Sequence, residues 1–186
     1  MKEFIVPPLK LALVCAVCCG LLAGANQLTR DRITAAEAKA IDKSLADLPN
    51  AGTFQEITDF SPENTEKATA NALYLDENGQ YAVLITADGY NKGGLQVIVG
   101  IDADNAITGF SFVSVTETPG LGTKVRDNPE LLLTALIGLS DQTDIQQTDA
   151  ITGATYSSNG MKAAAICALQ TVSKNREVSV LSLIHI

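Results

Sequence analysis

Residues 4–25, FIVPPLKLALVCAVCCGLLAGA, are apolar except for Lys10. A run of about 20 apolar residues matches the hydrocarbon thickness of a bilayer, so this segment is assigned to a membrane. The rest of the chain must then build its own core. The uninterrupted stretch after Lys10 is short for a span, which places the start near Phe4 with Lys10 snorkelling toward the headgroups. Lys2 and Lys10 precede the apolar run and predict a cytoplasmic N-terminus with the bulk of the chain exported. Ala23-Gly24-Ala25 also fits the small-x-small pattern of a cleaved signal peptide, and either reading exports the domain. Cys15, Cys18 and Cys19 lie inside the run. Cys15-x-x-Cys18 has a redox or metal spacing, but within an apolar span these thiols read as small packing residues.

The exported part holds one cysteine, Cys167, and so cannot be an internally disulfide-bonded scaffold. With 186 residues, 46% of them hydrophobic, one ordinary domain plus an accessory segment is expected, and disorder is not. The net charge of −8 repels phosphate backbones and excludes nucleic acid as a partner. One histidine and no tryptophan leave almost no material for His-ligated zinc or haem.

Thr34 to Glu37 has the form of a capping box, and Ala35, Ala38, Ile41, Leu45 and Leu48 then mark one helix face ending at Pro49. Residues 50–70 read as an irregular polar connection. NALYLDENGQYAVLITADGY predicts a hairpin about Asn78-Gly79. LQVIVGID and AITGFSFVSVTE predict two further strands joined at Asp102–Asn105. Asn128-Pro129-Glu130 opens a predicted helix continued by LLLTALIGL. Met161, Ala165, Leu169 and Val172 mark a last helix from about Ser158. The expected fold class is α+β: one N-terminal transmembrane helix, then an antiparallel sheet with flanking helices. The expected organisation is a membrane anchor over 1–28, a helical and irregular connection over 29–70, and a domain over 71–180. The stretch LSLIHI, 181–186, resembles a translated sequencing adapter and is read as an artefact, so His185 receives no function.

Two loops concentrate the chemistry. ETPGLG, 117–122, offers backbone amides that a ligand can approach closely, because Gly120 and Gly122 lack a Cβ. TGATYSS, 152–158, places hydroxyls directly before a helix N-terminus, where free N–H groups and the helix dipole favour phosphate. A turn accounts equally for the first loop and a helix cap for the second. Ser157 and Ser158 read as such caps. There is no catalytic triad, paired-carboxylate site, metal-ligand cluster or nucleotide-binding Gly-rich loop.

Asp149-Ala150-Ile151-Thr152-Gly153-Ala154-Thr155-x-Ser157 resembles the flavinylation motif of exported FMN-binding domains. Glu117-Thr118-Pro119-Gly120-Leu121-Gly122 resembles their second hallmark. With Gly89-Tyr90 and the N-terminal span, these residues are similar to the G-subunit family of Rnf ion-translocating electron transport complexes, over residues 4 to about 175. The C subunit of the sodium-pumping quinone reductase shares the domain and is the nearest alternative. A stand-alone exported flavin carrier and a non-redox anchored interaction module are the others. The resemblance implies FMN joined through its phosphate to Thr155, installed by a separate flavin transferase that uses FAD. Thr152, Gly153, Ala154, Glu117, Thr118, Gly120, Leu121 and Gly122 would surround the cofactor, with Asp149 at the motif's acidic position. It implies a retained helix in membrane lipid and partners among the other membrane subunits, which pass electrons from ferredoxin toward NAD while moving Na⁺ or H⁺. On that reading the chain alone converts no substrate and serves as an electron relay.

Overall fold

The computed structural model describes the backbone of residues 2–184 and the side chains of Pro8 and residues 10–176. His185, the side chains of 181–184, and those of Lys2 and Phe4 lie outside the described residues. Residues up to Ala40 and residues from Ile41 onward form two separate compact units. From Lys2 onward the first unit is helical. It belongs to α1, Lys2–Ala46, whose stretch from Lys10 is long and apolar enough to cross a membrane. The expected helix start at Thr34 is overturned. Thr34 lies within α1, and its Oγ1 donates to the Arg30 carbonyl at 3.1 Å. Residues 26–33 contain neither proline nor glycine, so a helix already nucleated in the apolar run propagates through them at little cost.

The second unit is built on a five-stranded antiparallel meander: β1 Phe54–Ile57, β2 Ala68–Asp76, β3 Tyr81–Ala87, β4 Leu95–Ile101 and β5 Ile107–Val115, in that spatial order. The Asn78-Gly79 hairpin forms as expected, with Gly79 at φ +84° and Asp76 Oδ1 accepting from the Asn78 and Gln80 amides at 2.9 and 2.7 Å. β1 corrects the expectation of an irregular 50–70 connection. It pairs with β2 from Phe54↔Asp76 to Ile57↔Leu73.

β3 and β4 are buried on both faces, which explains their near-continuous apolar sequence. Val83, Ile85, Val97, Val99 and Ile101 face the larger core, while Ala82, Leu84 and Ile98 face a smaller one with Leu45 and Leu48. A register shift between Ala70 and Ala72 reverses the alternation of β2, so Ala70 and Leu73 both enter the larger core.

The larger core is closed by α5, Thr155–Ile184, through Met161, Ala164, Ala165, Ala168 and Val172. The small ones among these, Ala164, Ala165 and Ala168, let the helix lie close to the sheet. At Gly160 the approach is closest: a Cβ there would overlap the Asp88 carbonyl oxygen and sit 3.0 Å from its carbon. Before α5 come α2, Lys124–Asp127, a 3₁₀ turn at Pro129–Leu131, α3, Leu133–Leu136, and α4, Gln142–Gln147. The single helix expected from Asn128 onward is therefore broken. Asn128 makes no capping bond with its side chain. Residues 138 and 139 instead pair with the start of β5, Gly138 N donating to Ile107 O and Ile107 N to Leu139 O. Satisfying the Ile107 backbone ends the helix at Leu136.

Cys167 is fully buried in the larger core, with its Sγ donating to the Glu63 carbonyl at 3.0 Å. Burial pushes this thiol up to about 11, so almost no thiolate exists at neutral pH and alkylation requires it. Iodoacetamide at pH 7.5 is expected to leave the tryptic peptide 163–174 unmodified in the native protein and to label it fully in urea. Mass spectrometry of that peptide reads the difference.

Candidate functional site

The register places the site. Ala87, Leu95 and Val115 are neighbours across β3, β4 and β5, so the β3–β4 loop and the segment after β5 leave the sheet at one end. Gly160 against Asp88 brings the start of α5 to that same end. The loops around Tyr90, around 117–122 and around 152–155 therefore converge.

Between them lies a cleft of about 380 Å³, within the range of small-molecule sites. Thr118, Leu121 and Gly122 line it from the second segment, and Gly153, Ala154 and Thr155 from the third. Tyr90, Tyr156 and Ser157 complete the lining. Six of the nine residues expected at the site are thus brought together. The other three lie outside the lining. Thr152 is exposed, and its carbonyl accepts from Lys124 Nζ at 3.2 Å. Gly120 sits in a turn at φ +74° facing open space. Glu117 is buried behind the cleft, 6% exposed.

Glu117 holds the loops together. Its Oε2 accepts from the Tyr90 amide at 3.1 Å and from Ser157 Oγ at 2.7 Å, and its Oε1 from the Asn91 amide at 3.1 Å. A carboxylate with three donors is a satisfied buried anion. Gly122 is glycine for this reason: a Cβ there would meet the Glu117 Cβ at 2.7 Å and Ser157 Oγ at 2.9 Å.

The third loop turns before the helix. Ala154 N donates to Ile151 O at 2.9 Å, closing a turn whose third residue is Gly153 at φ +79°. That position calls for glycine. Ser158 N then donates to Ala154 O at 2.9 Å, so Thr155 is the first residue of α5. The amides of a helix's first turn have no partner within the helix, and here they border the cleft. The Thr155 side chain is exposed beside them. Lys124, half-buried, adds a positive charge to the same corner.

Ser157 and Ser158 are not caps, contrary to expectation. Both are buried in the first turn of α5, Ser157 bonded to Glu117 and Ser158 accepting from the Ile151 amide at 3.0 Å. Ser158 therefore anchors the preceding loop to the helix. Ser158→Ala leaves a buried N–H without its acceptor, which costs about 1–3 kcal/mol. Thermal unfolding of the full-length protein in detergent is expected to register that loss.

Sequence reasoning gave no separate role to Tyr90, Tyr156 or Lys124. Tyr90 and Tyr156 are 72% and 64% exposed, and their rings meet edge to face with centroids 6.0 Å apart. The available signal was an aromatic residue beside a glycine in Gly89-Tyr90 and another beside Thr155.

Two family models match the chain in order: the RnfG N-terminal region over residues 9–48 and the FMN-binding domain over residues 89–170. The second match begins just before Tyr90 and encloses all three converging loops. The chain is also similar to curated proteins described as the G subunit of an ion-translocating oxidoreductase complex. The relative from Vibrio vulnificus (strain YJ016) is 29% identical over 91% of this chain and 89% of its own length. Its counterpart from Pseudomonas aeruginosa (strain UCBPP-PA14) is 28% identical over 91% and 88%. One from Shewanella oneidensis is 30% identical over 70% and 66%. With an N-terminal membrane-type helix, the RnfG N-terminal region and an FMN-binding domain whose loops converge on one cleft, this chain belongs to the G-subunit family of ion-translocating oxidoreductase complexes.

Proposed function

We propose that this chain carries FMN covalently, as a phosphate ester on Thr155, and relays electrons between other membrane subunits of its complex. One observation carries the reading: Thr155 presents an exposed hydroxyl to the cleft from the first position of a long helix. A phosphodiester formed there lies against free first-turn amides and the positive helix end. Lys124 supplies a cation at the same corner.

The cleft residues fit the rest of the group. Leu121, Tyr90 and Tyr156 offer apolar and aromatic surface for a planar ring, while Gly122 and Gly153 let the backbone come close. Bound FMN supplies one- and two-electron exchange, and the protein's part is position and tuning. Glu117 fixes two of the three loops and, through Ser157, the helix turn that bears the hydroxyl.

For attachment, Thr155 Oγ1 bonds to the flavin-side phosphorus of FAD on a flavin transferase. The pyrophosphate P–O bond breaks, AMP leaves, and the hydroxyl proton is lost to the transferase. Gly153 and Ala154 leave that hydroxyl uncrowded. Lys2 and Lys10 support an orientation with this domain on the extracytoplasmic side and the apolar helix retained in the membrane.

The test is peptide mapping of the protein expressed with its transferase. Trypsin releases residues 127–162 as one peptide, and its mass is expected to rise by FMN less one water, with fragment ions placing the addition at residue 155. An unmodified peptide in a yellow preparation would defeat the covalent assignment while leaving bound flavin.

A further inference from the structure

Two large aromatic side chains are exposed side by side at the cleft. Isolated exposed apolar residues need no explanation, but a touching pair at a concave site does. Tyr90 comes from the loop after β3 and Tyr156 from the first turn of α5, directly after Thr155. The two segments are tied to one atom: the Tyr90 amide and the hydroxyl of Ser157, the residue after Tyr156, both donate to Glu117 Oε2. The molecule thus buries a carboxylate to fix two segments whose rings it leaves in solvent. Burial of those rings is not what the arrangement achieves. It sets them in a defined relation to each other, 79° apart, beside the hydroxyl that borders the same cleft.

We infer that Tyr90 and Tyr156 form the aromatic wall against which the isoalloxazine ring lies, an inference that rests on the proposed attachment at Thr155. An edge-to-face pair leaves ring surface free for a further planar partner, and offset or T-shaped contacts between aromatic rings are favourable beyond the area they bury. Leu121, also exposed on the cleft, adds apolar surface. The tether restricts the ring to the neighbourhood of Tyr156, and Tyr90 is the aromatic residue in contact with it there. Both tyrosines act as binding residues that set ring position.

A phenol in contact with a photoexcited flavin lends it one electron and recovers that electron as the ground state returns. No net reaction occurs, and emission is quenched. Phenylalanine keeps the aromatic surface but lacks the easily oxidised phenol; leucine keeps neither. Three full-length proteins, expressed with the flavin transferase and held in detergent, make the test: wild type, the double variant Tyr90→Phe/Tyr156→Phe, and the double variant Tyr90→Leu/Tyr156→Leu. Flavin fluorescence in a denaturing gel measures loading for each. At equal loading, native wild-type emission is expected to be several-fold weaker than that of the phenylalanine variant. The leucine variant is expected to move the visible absorption toward that of free FMN in water. The inference is overturned if either change is missing while the wild-type band fluoresces. A wild-type band with no flavin at all overturns the attachment at Thr155, and this inference with it.

Discussion

Thr155→Ala is expected to remove all flavin fluorescence from the denatured chain when the protein is expressed with its transferase. The expectation separates Thr155 from its neighbours on structural grounds. Ser157 and Ser158 are buried and already bonded, one to Glu117 and the other to the Ile151 amide. Thr152 is exposed but lies outside the cleft lining. Thr118 is the other exposed aliphatic hydroxyl on the cleft, yet it belongs to a turn, its carbonyl taking the Leu121 amide at 3.2 Å. Of the aliphatic hydroxyls lining the cleft, Thr118, Thr155 and Ser157, only Thr155 combines exposure with a helix N-terminus. Because its side chain touches little, Thr155→Ala changes stability by no more than about 0.5 kcal/mol, so the loss of flavin cannot be assigned to unfolding. Thr118→Ala should keep the fluorescent band, and Thr155→Ser, which retains a hydroxyl at the same place, should restore part of it. A fluorescent band from Thr155→Ala would move the attachment elsewhere.

The sheet was largely legible because its signals are local. Asn78-Gly79 and the Asp102–Asn105 turn lie between alternating or continuous apolar runs, and both turns use positive φ, at Gly79 and Asn105. β1 was not legible. Its four residues, Phe-Gln-Glu-Ile, carry too short a pattern, and pairing with β2 makes them a strand. The polar stretch before the third loop hid α4, although Asp141 gives an N-cap signal and indeed accepts from the Thr143 amide at 2.7 Å. α1 went the other way: a good local cap signal at Thr34 lost to helix already in progress. At the site, the two motifs marked the correct loops but not the division of labour within them. ETPGLG read as a ligand-contacting loop, whereas its first residue faces inward to partners 27 and 40 positions away in sequence. Nothing local to Glu117 announces such partners. Tyr90 was visible only as half of a dipeptide, because its place beside Tyr156 depends on how β3 and α5 meet.

Glu117→Ala is expected to be the most damaging single substitution in this part of the fold. The side chain is 6% exposed and accepts three hydrogen bonds, two from backbone amides and one from Ser157. Bonds to a charged acceptor contribute about 1.5–3 kcal/mol each, and buried donors left without partners carry their own desolvation cost. Water entering the vacated space recovers part of this, so a net loss of about 3 kcal/mol is the expectation, within the large end of single substitutions. For a chain of this size that corresponds to a fall of roughly 6–12 °C in Tm, measurable by thermal unfolding of full-length protein in detergent. Glu117→Gln does not repair the site. Its amide oxygen can take the place of Oε2 and keep the Tyr90 and Ser157 donors, but its NH₂ group then faces the Asn91 amide, which also donates, and the charge is gone, so part of the loss should remain. Ser157→Ala, which removes one of the three bonds and leaves the carboxylate with two, should cost about 1.5 kcal/mol. This ordering, Ala worse than Gln and both worse than Ser157→Ala, is specific to a shared buried acceptor. A ligand-contacting Glu117 with no structural burden would instead leave Tm unchanged and alter only the flavin spectrum, and that result would remove Glu117 from the framework of the site.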